Sequence, residues 1–242
     1  MESYGITDIG VRREVNQDYI YCNDSTIGLL PNLYIVADGM GGHKAGDFAS
    51  RFSVTVFEKE IKEQKARTII GAMEGALRHA NELLLKEAEA EPNYEGMGTT
   101  FVATTVTEKR LFIVNIGDSR LYTIEKTGSI RQITRDHSLV EEKILRGELD
   151  RKDAKYHPQK NVITRALGAQ RQVVLDFFEV ELEDVSYVLL CSDGLTNMVD
   201  DTIIQEIVLS LEGSLEEKAK KLVTLANENG GKDNISLILI QI

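Results

Sequence analysis

Residues 33–42 read Leu33-Tyr34-Ile35-Val36-Ala37-Asp38-Gly39-Met40-Gly41-Gly42. The apolar run from Leu33 to Ala37 suits a short strand buried on both faces, and it stops at an acid set among glycines, residues that strand interiors disfavour. Similar wording recurs along the chain. Leu111 to Gly117 precedes Asp118, Tyr187 to Ser192 precedes Asp193-Gly194, and Asp233-Asn234 precedes the closing run Ile235 to Ile242. Further β-branched runs predict strands at Tyr4 to Ile9, Tyr19 to Tyr21, Thr99 to Thr107, Leu121 to Ile124 and Val173 to Val180. Connections such as Glu108-Lys109-Arg110 and Lys126-Thr127-Gly128 are too short for a crossover helix, so the sheets should be antiparallel.

Helical spacing appears in two pairs. Ile69, Ile70, Met73, Ala76, Leu77, Ala80 and Leu84 form one stripe within Ala66 to Glu91. Phe48, Phe52 and Val56 form another in the preceding segment, from about Gly46 to Glu63. Near the other end, Ile203, Ile204, Ile207 and Val208 mark a helix over Asp200 to Leu211. Ser214 and Glu217 read as a capping box for one that stops before Gly230-Gly231. Sheets flanked by helix pairs bury both faces, which predicts an α+β fold: a four-layer α/β/β/α sandwich of two antiparallel sheets. No repeat or Pro- or Ser-rich linker divides residues 1–242, so a single domain is expected. The least regular stretch, from about Arg135 to Gln172, surrounds a short helix-like piece at Ser138 to Arg146; long connections of this kind are often functional.

Composition narrows the function. With 42% hydrophobic and 28% charged residues the chain can build a sizeable core. Its 39 acidic against 28 basic side chains give a net charge of −11, which disfavours nucleic acid and anionic membranes as partners. Cys22 and Cys191 are too few for a disulfide framework and lack CxxC spacing. Met1 to Asp8 has no basic and apolar signal pattern, and no apolar run reaches the ~18 residues of a membrane span, so a cytoplasmic location is expected.

The acids carry the chemistry. Asp-Gly and Asp-Asn are common turn pairs, and each of these aspartates alone reads as a turn residue. Four acids at the edges of the most apolar strands call for more. If the ends converge, Asp38, Asp118, Asp193 and Asp233 repel one another unless a cation neutralises them. A carboxylate set without recurring His or Cys suits a hard cation such as Mg²⁺ or Mn²⁺, and a glycine beside an acid lets a backbone carbonyl join the shell. Upstream, Val11 to Asp18 adds Arg12 and Arg13, cations whose forked geometry matches a phosphate, though surface arginine pairs are usually just solvated.

These stretches resemble the metal-dependent protein phosphatases of the protein phosphatase 2C type, and in particular the compact bacterial members that act opposite Ser/Thr kinases. The matching stretches are Arg13…Asn16-Gln17-Asp18, Val36 to His43, Gly98-Thr99-Thr100, Asn115 to Arg120, Asp136-His137-Ser138, Thr164 to Gly168, Leu190 to Leu195 and Asp233-Asn234-Ile235. They follow the family's order from end to end. The resemblance implies hydrolysis of phosphoserine and phosphothreonine in proteins, with two or three Mn²⁺ or Mg²⁺ ions. It implies that Asp38 bridges two ions, with the Gly39 carbonyl on one and Asp193 and Asp233 on the other. Asp118 would join Asp193 at a third, and Asp18 would hold metal-bound water. Arg13 would be the phosphate-binding residue and 135–172 a flap that influences which phosphoproteins are accepted. The implied partners are phosphoproteins, including a Ser/Thr kinase and its substrates, met by a monomer.

On this reading a water between two ions is acidified towards neutrality, attacks phosphorus in line and needs no covalent phosphoenzyme. One position departs from the family. Many eukaryotic members carry a histidine directly after Asp-Gly as general acid, whereas Met40 stands here. His43 or a water on the third ion near Asp118 is left to protonate the leaving oxygen. Other designs fail on spacing: the sixth residue after Cys22 is Gly28 and after Cys191 is Asn197, where a cysteine phosphatase needs arginine. Asp38 and Asp193 lack the second acid two residues on of an aspartyl-phosphate enzyme, and no nucleophile-elbow, zincin or P-loop motif occurs. The rival from another class is a pseudophosphatase, a non-catalytic binding module. A metal-dependent nuclease is disfavoured by the acidic charge.

Overall fold

The computed structural model describes residues 1–42 and 45–242. Its strands are β1 (Glu2–Asp8), β2 (Asp18–Asn23), β3 (Leu33–Met40), β4 (Gly98–Thr99), β5 (Phe101–Val106), β6 (Arg110–Ile116), β7 (Arg120–Glu125), β8 (Ile130–Gln132), β9 (Asp176–Glu181), β10 (Val185–Cys191) and β11 (Ile235–Gln241). The helices are α1 (Ala45–Glu63), α2 (Ile69–Ala90), α3 (Leu139–Leu145), α4 (Arg151–Ala154), α5 (Asp193–Thr196), α6 (Asp201–Leu209) and α7 (Leu215–Glu228). One sheet runs β1-β11-β10-β7-β8 and the other β2-β3-β5-β6-β9, with β4 pairing the end of β3; every pairing is antiparallel.

Alternation along the strands explains the unbroken apolar runs. In β3, Leu33, Ile35 and Ala37 join Phe57, Leu77 and other side chains of the layer under α1 and α2, while Tyr34 and Val36 point between the sheets. In β11, Ile235, Leu237 and Leu239 meet α6 and α7, and Ile238 and Ile240 fill the space between sheets. Three apolar layers thus separate four structural ones, and the expected α/β/β/α sandwich is what forms.

Several boundaries differ from the sequence reading. The helix expected from Ala66 begins at Ile69, because Thr68 is extended and its side chain accepts the Gly71 N–H at 3.1 Å. The strand expected from Val173 begins at Asp176; Val173 packs under α2, and its carbonyl accepts from Arg78 at 3.3 Å. The helix over Asp200 to Leu211 spans only Asp201–Leu209. β8 was not anticipated, nor was α5, which begins at Asp193 itself. The irregular stretch runs between β8 and β9. Ser138 caps α3, accepting the Glu141 N–H at 3.2 Å, and Leu167 exchanges two backbone hydrogen bonds with Thr99, at 3.1 and 3.0 Å.

Of four passages between the sheets, residues 182–184 from β9 to β10 lie at one end of the sandwich and the other three at the opposite end. Of these three, residues 9–17 lead from β1 to β2, residues 117–119 from β6 to β7, and residues 133–175 from β8 to β9. The acids are gathered at the end these three share.

Candidate metal centre and active site

Asp18 opens β2 directly opposite Asp38 in β3, so two carboxylates begin as cross-strand neighbours. Like charges in that position need an outside cause to stay together. Part of it is a hydroxyl from the other sheet: Ser192, at the end of β10, donates to Asp18 Oδ2 at 2.7 Å and accepts the Ser236 N–H at 3.0 Å. Ser192 therefore draws Asp193, the next residue, and the segment carrying Asp233 towards Asp18. Gly194 is required because a Cβ there would lie 1.9 Å from the Asn234 carbonyl oxygen.

Asn234 fixes the loop that holds Arg13. Its Nδ2 donates to the Ile9 and Val15 carbonyls at 2.9 and 3.0 Å, and its Oδ1 accepts the Gln17 N–H at 2.9 Å. Arg13 then reaches Asp233, Nη2 to Oδ2 at 2.7 Å. The residue expected to bind phosphate is thus placed against an expected metal ligand, with its side chain 46% exposed.

Asp38 is held by Gly98-Thr99-Thr100. Its N–H donates to Thr100 Oγ1 at 2.9 Å, and its carbonyl accepts from Thr100 N and Thr99 Oγ1 at 2.9 and 3.0 Å. Thr100 Oγ1 also contacts Ser119 Oγ at 2.8 Å, tying this strand end to the turn of Asp118. Gly117 has φ +104°, and a Cβ there would sit 2.5 Å from Thr100 Cβ, so only glycine lets the turn lie this close. Gly39 is equally constrained: a Cβ would meet the Gly46 carbonyl oxygen at 1.9 Å, while its own N–H donates to Gln17 O at 3.1 Å.

The Asp118 turn is braced from behind. Gly117 N–H donates to His137 Nδ1 at 3.1 Å, and His137 Nε2 faces Asp176 Oδ2 at 3.1 Å. Burial holds this imidazole below its ordinary pKa despite Asp176, in keeping with an Nδ1 that accepts. Arg120 grips Asp136 with two nitrogens, at 2.9 and 2.7 Å.

The electrostatics of the cluster follow from burial and crowding. Desolvation pushes Asp38 well above the usual carboxylate range, and the charges of Asp18, Asp193, Asp118 and Asp233 add to the push. Asp118 is also raised well above it, by desolvation first and then by Asp193 and Asp136. Burial lifts Asp18 to about 7 although Ser236 and Ser192 oppose it, and lifts Asp193 to about 6 with help from Asp233. The five expected acids form one interacting group.

Three buried oxygens of that group, Asp18 Oδ1, Asp118 Oδ1 and Asp193 Oδ1, have no hydrogen-bond partner among the described residues. Such orphans are costly unless a cation or water satisfies them, and an all-oxygen set fits a hard divalent ion. Among the described residues no three His, Cys, Asp or Glu side chains form a ready-made cage. An ion held here would therefore complete its shell from water and backbone carbonyls, the role expected of Gly39. His43, named as a possible general acid, lies outside the described residues. The sequence reading gave no role to Thr99, Thr100, Ser119, Ser192 and Asn234, although each stands next to a quoted acid or inside a quoted motif; short hydroxyl and amide side chains there were the available signal.

Comparison with known proteins points one way. The family model of protein phosphatase 2C matches residues 11–230. The serine/threonine phosphatase stp of Listeria welshimeri is 43% identical over 228 residues, covering 90% of each chain. The crystal structure of the serine/threonine phosphatase Stp1 from Staphylococcus aureus superposes with a TM-score of 0.91 at 36% identity, covering 100% of this chain and 94% of that one. The catalytic domain of the serine/threonine protein phosphatase PstP, solved in complex with two manganese ions, gives 0.84 at 31% identity, covering 98% and 96%.

Proposed function

This chain belongs to the protein phosphatase 2C family, and from that membership we propose how its site removes phosphate from phosphoserine and phosphothreonine in proteins. It is a serine/threonine phosphatase, an enzyme and not an inert binding module. The observation that carries the reading is the trio of buried, unpartnered oxygens on Asp18, Asp118 and Asp193 beside Asp38. A binding module has no use for stored carboxylate repulsion, whereas a metal-dependent hydrolase requires it.

Asp38, Asp118, Asp193, Asp233 and the Gly39 carbonyl are the residues that would hold Mn²⁺ or Mg²⁺, two or three ions per chain. Divalent ions held there lower the pKa of water from about 15.7 towards neutrality and offset charge on phosphoryl oxygens. The remaining work belongs to the chain. Asp18 keeps Oδ2 on the Ser192 hydroxyl, so its free Oδ1 orients the attacking water by accepting one of its hydrogens. Arg13 is anchored through Nη2 to Asp233, which leaves its other N–H donors for the phosphoryl oxygens as the transition state gathers charge. Met40 has no proton to give; water beside Asp118 supplies the leaving serine or threonine oxygen, in preference to His43. Attack is direct, with no phosphoenzyme.

We read residues 1–242 as one catalytic domain in which 135–172 forms a flap over the approach to the site. Its partners would be phosphoproteins of a bacterial cytoplasm, including a Ser/Thr kinase and its substrates, engaged by a monomer. No described helix is long and apolar enough to cross a membrane. The deciding experiment is phosphate release from a phosphothreonine peptide with Mn²⁺, with Mg²⁺ and with excess EDTA. Metal-dependent release is expected; none with any divalent ion on folded protein would return the binding-module reading.

A further inference from the structure

Beside the acid cluster lies a hollow of about 300 Å³ that shares Arg13 and Asp233 with it. Two parts of the chain distant in sequence send cations to this hollow: Lys160 from the segment between α4 and β9, and Lys232 from the turn before β11. Neighbouring cations of the same region are matched, Arg151 by Glu141 and Lys155 by Asp200. Lys160 instead meets the neutral Asn197 Oδ1 at 3.2 Å, and Lys232 has no carboxylate partner among the described residues. Three cations thus face a single carboxylate, in a chain whose net charge is −11. Screening confines their influence to about 8 Å at physiological salt, so they act on what enters the hollow and not on distant encounter.

We propose that this hollow is a subsite for an anionic side chain of the substrate, a carboxylate or a second phosphate, flanking the phosphorylated residue. The inference rests on the phosphatase reading. Because Arg13 borders both places, the anion belongs within about three residues of the phosphoresidue, at about 3.3 Å per extended residue. Asn161 and Asn197 line the same space and bring amide groups that can complete the contact with an anion's oxygens.

The test uses the full chain with Mn²⁺ and a set of phosphothreonine peptides carrying Ala, Glu, Lys or phosphoserine at each flanking position from −3 to +3. At one or two positions Glu is expected to raise kcat/KM about two- to fivefold over Ala, the scale of an exposed ion pair, with Lys lowering it and phosphoserine exceeding Glu. K160M and K232M should each reduce that ratio, the double variant should abolish it, and K232R should restore it. Ratios between peptides cancel any general loss of activity. A response to phosphoserine without one to Glu assigns the subsite to phosphate; a response to both assigns it to anions at large. Equal rates for all flanks in the unaltered protein, or an undiminished ratio in the double variant, would overturn the proposal. So would lysine changes that shift only the Mn²⁺ requirement, equally for every peptide, since the lysines would then merely balance the aspartates. No turnover of any peptide, the all-Ala one included, would sink the phosphatase reading and the subsite with it.

Discussion

Asp18, Asp38, Asp118 and Asp193 hold their protons more tightly in the folded chain than in the unfolded one. Asp193 is pushed up to about 6 and Asp18 to about 7, mainly by desolvation. A carboxylate raised in this way stabilises the fold fully below its unfolded pKa of about 3.9, and that stability is lost as pH climbs through the folded value. The metal-stripped protein should therefore melt several degrees lower at pH 8 than at pH 5, at about 2–4 °C per kcal/mol for a chain of this size. Mn²⁺ should recover the loss at pH 8 and do little at pH 5, where protons occupy the same oxygens. A melting temperature that is flat across this range in EDTA would contradict the burial of these charges. Asp193→Ala separates the two demands on one residue: phosphate release should fall by more than about 100-fold, beyond what even outer-shell changes at metal sites cause, while the metal-free melting temperature holds or rises as one repelling charge leaves. Undiminished turnover would remove Asp193 from the site.

Among the elements, the turn between β6 and β7 has little tolerance. Gly117→Ala forces a side chain into a left-handed backbone and onto Thr100, so it should cost about 1–3 kcal/mol and reduce activity together, through the displaced Asp118. A melt and a rate assay check this; an alanine variant of full stability and rate would show that the turn has room. Sequence periodicity made most elements legible, because a strand buried on both faces is an apolar run and an amphipathic helix repeats its stripe. Ser214 with Glu217 announced α7, and the structure contains both halves of that capping box. Thr68 announces α2 with a hydroxyl alone, which is why its start was read three residues early. Asp193 could not be recognised as the first residue of α5, since a single turn has no periodicity to read.

For the molecule as a whole, what the sequence withheld was convergence. It placed acids at strand ends, but only the topology reveals that these are the ends where the chain makes three of its four passages between sheets: Asp18 and Asp38 come from one sheet, Asp193 and Asp233 from the margin of the other, and Asp118 from a crossing between them. Side chains such as Ser192 and Thr100, which join the pieces, acquire meaning only once their distant partners are known. The position of β11 has a consequence for biosynthesis. This strand, from the far end of the sequence, lies between β1, from its beginning, and β10. A ribosome adding 5–20 residues per second needs roughly 10–50 s to travel from β1 to β11. Until then β1 has no partner in its sheet, and Asp233 has not yet been made or has only just been added. On the proposed role of Asp233, the emerging chain must wait, partly folded, with its hydrolytic capacity withheld, and a chain abandoned by the ribosome before residue 233 never acquires it.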